Sequence, residues 1–177
     1  MNSLLRTMIG ETFIKFKSDP FVFSNNVFEC VGLYIGSRVF MLQNSLMLLD
    51  YYGSEEEICV LKLLAAESSD LKSAFLSVNQ IDNYINRGVK KIQLVQEHKV
   101  LSKNEEIEYD IHLTRGLIFC FDDDLEIAFE KTNPFIGNIA ISRGYDLLKG
   151  FTPEENDKTP DMNGYGLITN RYLENIQ

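Results

Sequence analysis

Three aspartates in a row, Asp122, Asp123 and Asp124, sit between the apolar runs 117–121 and 125–129. Consecutive carboxylates can hold a cation, meet a basic partner, or simply turn the chain. A calcium loop of the EF-hand type needs ligands at spaced positions and a glycine for the bend, and this stretch has neither. Asp110 and His112 lie two apart, on one face of any strand that carries them, and His98 is the only other histidine. Imidazole and carboxylate together suit zinc, but there is no HExxH, no CxxC and no third ligand at metal spacing. A cysteine nucleophile would need Cys120 beside His112 or His98, and the run "LIFCF" places that thiol in an apolar core. There is no G-x-S-x-G and no P-loop, and "GYGLIT" at 164–169 lacks the third glycine of a dinucleotide fingerprint. These residues assign no catalytic group, no metal and no cofactor.

The elements that carry the aspartates can be registered on paper. A two-residue turn at Asp122 and Asp123 would set Phe119 against Glu126. A three-residue turn sets Phe121 against Leu125, Phe119 against Ile127 and Leu117 against Phe129, so one face is wholly apolar. Because a one-residue slip reverses every side chain, burial selects the three-residue turn. Its last residue falls in the left-handed region, which aspartate tolerates.

Elsewhere the spacing predicts helices. Leu4, Leu5, Met8, Ile9 and Phe13 recur at three and four residues, giving an N-terminal helix over 3–17 that ends at "SDP". Leu71, Phe75, Val78, Ile81 and Ile85 give a central helix over 69–87 stopped by Gly88, with Ser77 and Gln80 as an internal capping box. "LITNRYLENIQ" predicts a short closing helix. Three or four antiparallel strands are expected between 27 and 65, and more after Gly88. In "IEYDIHL", Ile107, Tyr109, Ile111 and Leu113 alternate with Glu108, Asp110 and His112, a strand with one wet face. Residues 150–164 read as a surface loop. The expected fold class is α+β: about seven to nine mainly antiparallel strands in two meanders, packed by two helices, in a single domain over 1–177. The turns at Gln43 and Asp122, 122 − 43 = 79 residues apart, have the spacing that a diverged duplication of 1–66 and 67–150 would leave.

With 177 residues, 45% of them hydrophobic, the chain can build one sizeable core. No run approaches the roughly 18 apolar residues of a membrane helix. Cys30, Cys59 and Cys120, odd in number and each in an apolar run, fit the reduced thiols of a cytoplasmic protein. The net charge of −9 disfavours direct binding to nucleic acid.

Of the 26 acidic residues, nine fall between 105 and 130, with Arg115 as the one basic residue among them. Crowded like charges cost stability and are kept more readily where function uses them. The expected docking surface is Glu105, Glu106, Glu108, Asp110, Asp122, Asp123, Asp124 and Glu126, facing a basic protein such as a toxin or a nucleic-acid-binding enzyme. Small, acidic and free of catalytic motifs, the chain is similar in kind to bacterial immunity and phage anti-defence proteins. That likeness implies a non-catalytic inhibitor; a homodimer is also compatible with it. The alternative is an enzyme or small-molecule binder with a site around His112 and Asp110, assembled from residues distant in sequence.

Overall fold

A computed structural model describes residues 1–21, 25–51, 54–75, 79–104, 106–151, 159–162 and 165–176. The chain is almost entirely β. After one helical turn, α1 (Asn2–Arg6), come β1 (Thr12–Ser18), β2 (Asn26–Phe28), β3 (Cys30–Ile35), β4 (Arg38–Tyr51), β5 (Ser54–Ala66), β6 (Ile81–Lys103), β7 (Glu106–Phe121), β8 (Glu126–Lys131) and β9 (Asn138–Gly144). A 3-10 turn (Leu147–Phe151), β10 (Thr159–Met162) and β11 (Tyr165–Ile176) follow.

This corrects the α+β expectation. Residues 12–17 are a strand, because β1 lies between β3 and β6 and its backbone pairs on both sides. The central helix is absent: β6 begins at Ile81 and runs 23 residues. Ser77 and Val78 of the expected capping box and helix face lie outside the described residues. The closing helix is β11, paired with β6 from Tyr165↔Lys103 to Ile176↔Ile92. The two expected meanders are instead one sheet, and the 150–164 segment contributes β10 to it.

Every strand pair is antiparallel, in the order β2-β9-β8-β7-β6-β1-β3-β4-β5. β2 and β3 are separated only by Glu29, at φ 58. The path therefore returns on itself, and β1, β2–β3, β9, β8, β7 and β6 close a barrel. The closing seam is short: Asn26↔Ala140, Val27↔Ile139 and Phe28↔Asn138. Phe13, Phe16, Leu33, Leu94, Phe119 and Phe129 fill the interior. Phe13 meets Phe119 edge-on at 5.1 Å, and Phe16 meets Phe129 at 5.7 Å. Edge-to-face rings of this kind add to what burial alone contributes. Outside the barrel, Val95, Ile118, Cys120 and Ala128 make a second small core under Phe151 of the 3-10 turn.

The three-residue aspartate turn forms as expected. Phe119 pairs with Ile127 and Leu117 with Phe129. Phe121 N–H donates to Leu125 O at 2.9 Å, and Asp124 takes φ 62. Leu117, Phe119, Phe121, Leu125, Ile127 and Phe129 are all buried.

β6 belongs to two substructures. Its first residues, 81–88, pair with β1 in the barrel wall. Its second half, 92–103, is flanked by β11 on that same edge and by β7 on the other. The outer parts of β6, β7 and β11 thus extend past the barrel as a three-stranded ribbon. That is the scaffold for the chemistry below.

Candidate functional site

Backbone register brings the two histidines together. β6 and β7 pair His98 with His112, and Val100 with Asp110. Directly opposed and diagonal residues share a face, so all three side chains point the same way. The imidazole rings stack with centroids 4.0 Å apart and planes 8° from parallel. His98 Nε2 lies 2.7 Å from Asp110 Oδ1, and His112 Nε2 lies 3.6 Å from the same oxygen. The Tyr172 hydroxyl of β11 is 3.4 Å from His112 Nδ1. Ligand-capable atoms of His98, Asp110 and His112 all lie within 4.8 Å of one another. His98 is the most sheltered, its side chain 25% exposed, against 50% for Asp110 and 58% for His112.

The eight residues expected to form one acidic surface are split. Glu105 lies outside the described residues. Glu106 and Glu108 are exposed on the ribbon beside Asp110. The aspartate turn sits at the other end of β7. Asp122 is twelve residues along the chain from Asp110, about 40 Å of extended strand at 3.3 Å per residue. The turn also brings its own counter-charges. Asp123 accepts from Arg87 Nε at 2.6 Å, and Asp124 pairs with Lys90 Nζ at 3.1 Å. The Arg87 hydrogen bond holds the Asp123 carboxyl below its ordinary range. Asp122 folds back over Gly88, where a Cβ would stand 2.1 Å from Asp122 Oδ2. Glu126 lies on the outer wall beside Cys120 and accepts from Leu147 N–H at 2.7 Å and from the Cys120 thiol at 3.5 Å. A cleft of about 660 Å³ lies here, lined by Lys90, Lys91, Cys120, Asp124, Glu126 and Tyr145.

Two further charged groups were not legible as site residues. Glu97 is buried on the outer wall, accepting from Arg171 Nε at 2.8 Å with Lys99 Nζ at 3.5 Å. Burial alone would raise its carboxyl, but Lys99, Arg171 and Arg115 outweigh that and hold it below the ordinary range. Lys131 is 1% exposed, and its Nζ donates to Cys59 O at 3.1 Å. Burial pushes this amine down to about 8, with the charge of Glu97 pulling the other way and Arg115 and Lys99 adding to the fall. So enclosed an amine meets no substrate in this structure, and its account belongs to stability.

None of the thiols is poised as a nucleophile. Cys59 and Cys120 are buried. Burial raises Cys30 and Cys120 to about 11, helped by Asp19 and Glu29 at the first and by Glu126 at the second. No described helix is long and apolar enough to cross a membrane. No family model, curated protein or solved structure matches the chain.

Proposed function

We propose that the protein is a non-catalytic binding module that docks a basic protein partner on the acidic outer end of the β6–β7 ribbon. The observation that carries this reading is the composition of that end: Glu106, Glu108 and Asp110 are exposed, and Ile107, which the bulge turns to the face of Asp110, is 67% exposed. Interfaces need an apolar centre within a polar rim, and β11 adds the exposed Ile168 and Tyr172 beside these residues. The net charge of −9 favours encounter with a cationic surface. The proposed surface leaves out the aspartate turn, which stands apart and has Asp123 and Asp124 paired with Arg87 and Lys90.

The test is kinetic. A partner captured from the native host is measured for its association rate at low and high ionic strength, against wild type and the Glu106→Lys/Glu108→Lys double variant. Steered association slows by about tenfold or more in the variant at low salt, and the two converge at high salt. Equal rates in all four conditions would overturn the proposal.

A further inference from the structure

From the juxtaposition of His98, Asp110 and His112 across the β6–β7 ribbon, we propose that these three side chains form a binding site for a divalent transition cation of the zinc class. The inference goes beyond the docking reading and does not rest on it.

Two imidazole nitrogens and one carboxylate oxygen are a donor set that zinc accepts, with bonds of about 2.0–2.2 Å. In a tetrahedral site such bonds place neighbouring donor atoms about 3.3 Å apart. Here Asp110 Oδ1 is 2.7 Å and 3.6 Å from the two Nε2 atoms, spanning that value. The stacked rings must turn so that their Nε2 lone pairs converge with the Asp110 carboxylate on one ion. Paired strands fix the Cα positions, so part of the ordering cost of binding is already met by the fold.

Tyr172 supplies the support such sites use. When His112 Nδ1–H donates to the Tyr172 hydroxyl oxygen, Nε2 keeps its lone pair and faces Asp110. The surroundings are also electrically apt. Glu106 and Glu108 lie on the same strand, and their charge raises the local concentration of cations. Three protein ligands leave a fourth position facing solvent, to be taken by water or by a side chain from another molecule. Oxygen-loving cations fit less well, because calcium takes six to eight oxygens and imidazole is a poor donor to magnesium.

A bland account of the same geometry is a histidine–aspartate ion pair with a stacked neighbour. Titration separates the two. The chelator-treated full chain is titrated with zinc chloride in a calorimeter and, in parallel, with cobalt chloride under visible absorption. The expected result is uptake of one equivalent of zinc per chain and cobalt bands of tetrahedral intensity. His98→Ala and His112→Ala each weaken zinc binding by about tenfold or more and abolish the cobalt bands. Asp122→Asn and Asp124→Asn leave both unchanged. Far-ultraviolet circular dichroism checks that each variant folds, with His98→Gln standing in if the alanine variant does not. The proposal is overturned if wild type takes up no zinc at millimolar concentration. It is equally overturned if the histidine variants bind as wild type does, or if calcium binds as tightly as zinc. None of these readings requires a partner, so failure here leaves the docking reading untouched, and the converse holds.

Discussion

Replacing Lys131 with methionine should stabilise the protein, and the size of the effect follows from its surroundings. The amine is sealed inside the wall with one hydrogen bond, to Cys59 O. Burial pulls its pKa from 10.5 to about 8. Those 2.5 units, at about 1.4 kcal/mol each, make the penalty for holding the charged form roughly 3.5 kcal/mol. Below pH 8 folded and unfolded chains both carry the proton, and the whole penalty applies. Between 8 and 10.5 the folded chain has shed its proton while the unfolded chain keeps it, so stability climbs with pH. Above 10.5 both forms are neutral, and the penalty is gone. Methionine fills a similar volume without the charge, and apolar replacement of buried ions is often neutral or stabilising. Some of the gain is lost to imperfect packing, leaving about 1–3 kcal/mol at pH 7. Urea unfolding of both proteins at pH 7, 8 and 9 measures it. The advantage of Lys131→Met should shrink by about 1 kcal/mol from pH 7 to 9. Taking the difference between the two proteins cancels the raised thiols of Cys30 and Cys120, which act oppositely above pH 9. A variant less stable than wild type at pH 7, or a gap that does not change with pH, would refute the reasoning.

Two further outcomes are expected. Phe119→Ala should cost about 3–5 kcal/mol in a denaturant melt, because the ring is fully buried and packs edge-on against Phe13 and Phe129; a loss under 1 kcal/mol would contradict its place in the core. Thiol reagents at pH 8 should label native Cys30 and Cys120 on the order of 100-fold more slowly than a free thiol of pKa 9, since two pKa units deplete the thiolate by that factor; rapid labelling of either in the folded protein would contradict the raised pKa.

The aspartate turn was legible in the sequence because a hairpin with one buried face permits a single register, and Phe119 opposite Ile127 satisfied it. The two helices were misread because strands can imitate helical spacing. In β1 the register shifts between Phe13 and Lys15, and that bulge turns Phe13 and Phe16, three apart, to the same interior. In β6, Ile85 and Val89 are four apart, which places them on one face of a strand as well as of a helix. Gly88 looked like a helix stop, yet it is small because Asp122 folds over it. The histidine pair was hidden by another bulge. Regular pairing outward from Lys103↔Glu106 would set His98 against Ile111; the shift at Leu101 and Ser102 moves it to His112. The same shift undoes the simple alternation of 107–113, leaving Ile107 exposed while Leu113 is buried. No composition or motif announces a one-residue bulge.

The closing seam also governs how the barrel breathes. Three residue pairs join β2 to β9, flanked by the bonds from Glu29 N–H to Gly137 O and from Ile141 N–H to Asn25 O. Short ladders open at lower free energy than long ones, so hydrogen exchange at Val27 and Ile139 should run ahead of exchange along β6 and β7. Ile139 is also the cross-strand partner of Lys131. Opening of the seam should therefore loosen the strand next to the one that carries the buried amine. Proton exchange at Lys131 should then follow the excursions of this short latch, even though its affinity for the proton is set by the walls around it.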